Sequence, residues 1–199
     1  MNRFFLKGIG IAILAMLCSL ATYADTPDDF QSRCTNAWMK KADDVKDKVD
    51  FKNFGEKYCA CAAKQQLDSE AAVQKAAQVC ISRTLLHDAM DSIEADVGLD
   101  KAKDSDVTDY CQDRWALVIP KQSDEDKKLI TTFCDCAKPK LVDLLKKSND
   151  MTDKQYDAEI DTIADACAES TAASSKSEPA PATTSAPTST PEPASKPAH

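Results

Sequence analysis

Glycine is nearly missing from this chain. Four are present, and Gly8 and Gly10 sit in an apolar N-terminal stretch, which leaves Gly55 and Gly98 for everything after it. So little glycine argues against hairpin-rich β-structure and against the glycine loops that cradle phosphates. Histidine is limited to His87 and His199, and no Cys-x-x-Cys occurs. Structural zinc sites need one or the other at fixed spacing, so no metal is expected. Neither a nucleophile elbow nor a two-histidine zinc motif is present, which removes the common signatures of hydrolases. Positive charge is also short. Lys and Arg number 25 against 33 Asp and Glu, a formal net charge of −8. Nucleic acids and anionic membrane surfaces need basic patches, so neither is an expected partner. The densest basic clusters, Lys138/Lys140 and Lys146/Lys147, are interleaved with acids and read as solvated helix faces.

The N-terminus carries the one long apolar run. Arg3 and Lys7 precede an apolar stretch from Gly8 to Leu20, and Thr22-Tyr23-Ala24 ends on a small residue. That is the layout of a secretory signal peptide of bacterial type, too short to span a bilayer. Cleavage is expected after Ala24, so residues 1–24 are read as signal. Lipidation at Cys18 would need a small residue before it, and Leu17 stands there. Removing this segment takes away Arg3 and Lys7 and moves the formal charge from −8 to −10. It also removes one of the nine cysteines and leaves an even set. An even set in an exported chain reads as a disulfide framework, in the periplasm or outside the cell.

What the chain does have is a cysteine phrase that occurs twice. Cys34, Trp38, Tyr58-Cys59-Ala60-Cys61-Ala62 and Cys80 form one copy. Cys111, Trp115, Phe133-Cys134-Asp135-Cys136-Ala137 and Cys167 form the other. The chain therefore reads as a tandem duplication of a disulfide-stapled unit, over residues 25–99 and 100–169. From residue 170 the composition turns to Ala, Ser, Thr and Pro, with six of the nine prolines. Such a segment buries too little apolar surface to offset its ordering entropy, so 170–199 is read as a disordered tail.

The fold class is all-α, with three helices per unit. Thr26-Pro27-Asp28-Asp29 is a helix start, with proline at the first helical position. Phe30, Cys34, Trp38, Lys41 and Val45 then keep a helical spacing. Phe51, Phe54, Tyr58, Cys61/Ala62 and Gln65 mark the second helix. Asp68-Ser69-Glu70 opens a third, through Val73, Ala76/Ala77 and Cys80, continuing to a stop at Gly98. That extension, found in the first copy only, is expected to pack across both units and join them. A fourth helix runs from Asp106 to Ile119. Ser123 or Asp124 opens a fifth, which Pro139 should kink or split. Thr152-x-x-Gln155 is a capping box for the sixth.

On a helix, residues two apart are about 200° apart around the axis. The sulfurs of Cys59 and Cys61 therefore point to opposite sides, as do those of Cys134 and Cys136. Each Cys-x-Cys joins the helix before it to the helix after it, which leaves two pairings per unit. If bonded residues lie equally far from a tight loop, the Asp68-Ser69 and Ser148–Thr152 loops favour Cys59–Cys80 and Cys134–Cys167. The loop after the first helix of the second unit favours the opposite. The expected set is Cys34–Cys61, Cys59–Cys80, Cys111–Cys136 and Cys134–Cys167. Each such bond closes a loop worth roughly 3 kcal/mol on the chain-entropy model. Trp38 and Trp115 are expected to pack beside them.

The functional expectation is an exported, non-enzymatic helical protein that binds a partner protein through its helix faces, with no cofactor. Two alternatives stand beside it. One is thiol–disulfide exchange at the Cys-x-Cys motifs. The other is carriage of an apolar ligand between helices. Copper(I) would require those cysteines to stay reduced. His87 and the acid clusters Asp43/Asp44 and Asp124/Glu125/Asp126 are read as ordinary helix-surface and capping residues.

Overall fold

Six α-helices account for the architecture of residues 27–176, the part of the chain that the computed structural model describes. They are α1 (Pro27–Met39), α2 (Lys48–Ala62), α3 (Glu70–Asp96), α4 (Asp104–Val118), α5 (Asp124–Leu145) and α6 (Asp153–Lys176), with 3-10 turns at Ala42–Asp44 and Ser148–Asp150. No strand occurs among the described residues. The expected signal segment and most of the expected tail lie outside them.

Local chemistry explains most boundaries. Pro27 opens α1, with Asp28 and Asp29 in its first turn. The Asp47 carboxylate accepts from the amides of Val49 and Asp50 and caps α2. A cap of this kind is worth about 1 kcal/mol. Before it, α1 ends at Met39 and a 3-10 turn follows at Ala42–Asp44, so the helix does not run on through Lys41 to Val45. Ser69 accepts from Ala72 N at 3.2 Å to start α3. At the far end Gly98 takes φ 87°, open to glycine without strain, and its amide reaches Ile93 O at 2.9 Å. Ile119 leaves the helical region (φ −125°, ψ 80°) before Pro120, and α4 ends there. Ser123 with Asp126 and Thr152 with Gln155 form the capping boxes of α5 and α6.

Of the kink or split expected at Pro139, the split does not occur: α5 runs unbroken from Asp124 to Leu145. Proline inside a helix costs about 3 kcal/mol or more. Burial of Ala137, Leu141 and Leu144 on both sides of it offsets that loss. The sixth helix also passes the boundary at residue 169 and continues to Lys176. Thr171 is buried, and its hydroxyl donates to Cys167 O at 2.7 Å, so the core still holds that turn.

Consecutive helices pack against each other along the chain, and α3 additionally packs on α6. Buried residues from Cys34 to Cys167 form one contiguous hydrophobic core. The part of α3 beyond Cys80 supplies Leu85, Leu86, Ala89, Met90 and Ile93 to it. That extension therefore touches α4 and α6 while α3 as a whole packs on α2, as its apolar spacing implied.

The two tryptophans sit in different surroundings. Trp38 lies flat over α2, stacked on Phe51 and Phe54 at ring-centroid distances of 5.0 and 5.6 Å and tilted on Tyr58 at 5.3 Å. Its indole N–H donates to Phe51 O at 2.9 Å. Gly55 makes this possible, because a Cβ there would come within 2.3 Å of Trp38 Cδ1. Trp115 instead meets Phe133 edge-on at 5.6 Å. Counted from each Cys-x-Cys, Ile130 holds the place of Gly55 and is buried, which leaves no room for a flat indole. Gly55→Ala gains helix propensity of about 1 kcal/mol but overpacks Trp38, which costs about 1–3 kcal/mol. The clash is with a rigid buried ring, so a net loss of stability is expected. A urea-unfolding midpoint equal to or above that of the parent protein would contradict it.

Candidate functional site

All eight cysteines of the doubled phrase are bonded, but not as expected. The bonds are Cys34–Cys59, Cys61–Cys80, Cys111–Cys134 and Cys136–Cys167. None lies within a Cys-x-Cys, as helix geometry requires. The error lies in the equal-depth premise. Cys61 is next to the last residue of α2, whereas Cys80 lies in the third turn of α3. The intervening segment 63–69 is a connection that lets the two helices meet out of step, not a tight hairpin. The short α4–α5 connection obeys the premise, and it favoured the bond that forms, Cys111–Cys134. Cys59 and Cys134 are fully buried, as are their chain neighbours Tyr58 and Phe133. Cys61 and Cys136 are only half-buried, on the other side.

The framework holds an open cleft of about 540 Å³ among α2, α3 and α4. Asp50, Asn53, Glu56 and Lys57 line it from α2, Asp88, Asp91, Ser92, Ala95 and Asp96 from α3, and Arg114 from α4. The α2 residues fall here because Phe51, Phe54, Tyr58 and Ala62 commit the other face of that helix to the core. Five carboxylates therefore face two cations. The Lys57 ammonium donates to Asp88 Oδ1 at 2.5 Å and to Asp91 Oδ2 at 3.0 Å. Burial works against that ammonium, yet the hydrogen bonds and charges of Asp88 and Asp91 outweigh it and raise its pKa. Asp88 is the most enclosed of the acids, its side chain 11% exposed. Arg114 Nη1 stands 3.5 Å from Asp50 Oδ2, and its Nε is buried with no partner among the described residues. At the rim, the Tyr110 hydroxyl donates to Asp96 at 2.9 Å.

A second charged cluster joins α3 to α6. Arg83 donates from Nε and Nη2 to the two oxygens of Asp165 at 2.8 and 2.6 Å, and from Nη1 to Asp161 at 3.1 Å. One turn on, His87 Nε2 lies 3.1 Å from Asp161 and Nδ1 lies 3.8 Å from Asp157. A fork on a carboxylate fixes direction as well as distance, so this clasp adds a directional link between α6 and α3. Beside it, burial and the charges of Glu94, Asp91 and Asp157 push the Tyr156 phenol up to about 12.

The cleft and the clasp were not foreseen from the sequence. The clasp had a legible signal: Arg83 and His87 are four apart, as are Asp157, Asp161 and Asp165. His87 is partly exposed, as expected, but it is partnered. Asp126 caps α5, and Lys146 pairs with Asp143 at 3.0 Å, as the capping and surface readings held. Lys140 is exposed, as that reading held, but its ammonium also turns onto a disulfide. Among the described residues, no group of three or more His, Cys, Asp or Glu is placed to hold a metal ion. Nor is any helix among them long and apolar enough to cross a membrane. No protein-family model matches this chain, and comparisons with curated proteins and with solved structures likewise find no match.

Proposed function

We propose that this chain is an exported, non-enzymatic binding protein whose α2–α3–α4 cleft takes a basic segment of a partner protein. The excess of carboxylates lining that cleft carries the reading. Lys57 and Arg114 neutralise part of the negative charge and hold the acids in place, and the remainder faces outward. Asp91, whose side chain is 65% exposed, is free to exchange its contact with Lys57 for one with an incoming cation. The negative formal charge, −8 for the full sequence and −10 without residues 1–24, adds a long-range field of the same sign, which speeds encounter with a cationic partner. A lining of charged and polar side chains favours such an occupant over an apolar ligand.

Export rests on the N-terminal signal layout and on the four disulfides, since such bonds persist in oxidising compartments. The shared order of bonding in α1–α3 and α4–α6, first helix to inner cysteine and outer cysteine to third helix, supports a tandem duplication. α3 runs on past Cys80 to Asp96, and that stretch lines the cleft with Asp88, Asp91, Ser92, Ala95 and Asp96.

The test is calorimetric titration of the oxidised chain with a short oligolysine peptide and, separately, an oligoglutamate peptide. Oligolysine should bind, and affinity should fall steeply with salt. Glu56→Gln combined with Asp91→Asn should weaken it roughly threefold to tenfold. Equal binding of both peptides, or an unchanged affinity in the double variant, rejects the cleft as the site.

A further inference from the structure

The four disulfides differ in what surrounds their sulfurs. Cys34, Cys59, Cys111 and Cys134 are all buried, so two bonds are closed to solvent. The other two, Cys61–Cys80 and Cys136–Cys167, each join a half-buried cysteine to a fully buried one. One position separates them. Four residues after Cys61 stands Gln65, whose amide lies 4.0 Å from Cys61 Sγ. Four residues after Cys136 stands Lys140. Its ammonium lies 3.2 Å from Cys136 Sγ, 3.5 Å from Cys167 Sγ and 3.1 Å from Cys136 O. The Ser170 hydroxyl approaches Cys136 Sγ as well, at 3.6 Å.

A neutral disulfide gains little from a cation at this distance. A thiolate gains much more, because the sulfur then carries a full negative charge. We propose that Cys136–Cys167 is a thiol–disulfide exchange site, opened selectively by small thiolates of the glutathione or dithiol class, with Lys140 stabilising the thiolates that leave. This goes beyond the binding role of the cleft and is independent of it. It gives the exchange alternative raised for the Cys-x-Cys motifs a different geometry: the bond that opens runs from Cys136 to Cys167 on the next helix, not between the two cysteines of one motif.

The attacking thiolate approaches Cys136 Sγ, the half-buried sulfur. A bond forms between the reagent sulfur and Cys136 Sγ as the Cys136–Cys167 bond breaks. The electron pair leaves on Cys167 Sγ, beside the Lys140 ammonium. A second reagent thiolate then attacks the reagent sulfur of the mixed disulfide and releases Cys136 as a thiolate, also beside Lys140. Two reagent thiols become one disulfide, the protein bond takes up two electrons, and the two protons pass to solvent or to the new thiols. Exchange is faster when the leaving thiol is the stronger acid, and an adjacent ammonium makes it so. Opening this bond frees α6 from α5 near Cys167 while the other three bonds remain.

The experiment treats the oxidised full chain with graded glutathione or a small dithiol, quenches with an alkylating reagent and maps labelled cysteines by mass. Cys136 and Cys167 should label first, and the glutathione adduct should sit on Cys136. Lys140→Gln, which copies the first unit, should slow that step roughly threefold to tenfold, whereas Lys140→Arg should keep it fast. Gln65→Lys should speed opening of Cys61–Cys80. The advantage of Cys136–Cys167 should shrink as salt rises, which a purely structural role for Lys140 would not produce. Opening of all four bonds together, earlier opening of Cys61–Cys80, or an unchanged rate in Lys140→Gln would overturn the proposal.

Discussion

Ile93→Ala should cost about 2–5 kcal/mol, the range for emptying a filled core site, and the loss should register at both tryptophans equally. Ile93 is 0% exposed and lies in the part of α3 beyond its disulfide. Trp38 reports on α1 and α2, and Trp115 on α4 and α5. In Trp38→Phe and Trp115→Phe backgrounds, urea unfolding followed by the remaining indole should give superimposable curves. Both should shift by the same amount when Ile93 is truncated. The physical reason is that α3 contributes to one contiguous core from Cys34 to Cys167. A shift confined to Trp115 would mean that the two halves unfold independently and that α3 belongs energetically to only one of them.

Removing a buried bond should have an effect of similar size, and the choice of partner makes the result diagnostic. Replacing Cys34 and Cys59 together by alanine deletes one bond and leaves the other three intact. Their sequence separation is 25 residues, and closing a loop of that length is worth roughly 3 kcal/mol on the chain-entropy model. The double variant should unfold at lower denaturant yet show no free thiol. Replacing Cys34 and Cys61 instead strands Cys59 and Cys80, so two thiols should appear, or a non-native bond between them. Cys59 is fully enclosed beside Tyr58, so the stranded arrangement should be the less stable of the two. Thiol counts in the reverse order would restore the pairing expected from loop symmetry.

That pairing shows where sequence reasoning about this chain stops. Equal depth from a loop holds when the loop is tight. Residues 119–123 satisfy that between α4 and α5, and they pointed to the bond that forms. Residues 63–69 do not, because nothing in their composition states that α2 ends at Ala62 just after Cys61. Caps were easier. Asp126, Gln155 and Gly98 act within one helical turn, so their roles are written in neighbouring residues. Pro139 does not end α5 for the opposite reason: its penalty is local, but the burial of Ala137 and Leu141 that offsets it is tertiary.

The sequence by itself determined the all-helical class, the participation of eight cysteines, the impossibility of bonding within either Cys-x-Cys, and the reach of α3 past its disulfide. Each depends on spacing along a single helix, where 3.6 residues per turn decides direction. The tertiary structure alone decided which sulfur meets which. It also brought residues from three helices together as the acidic cleft and placed Lys140 over one bond while Gln65 stands by another. Those are matters of how helices rotate and slide against each other, and that is settled by the packing of the whole core.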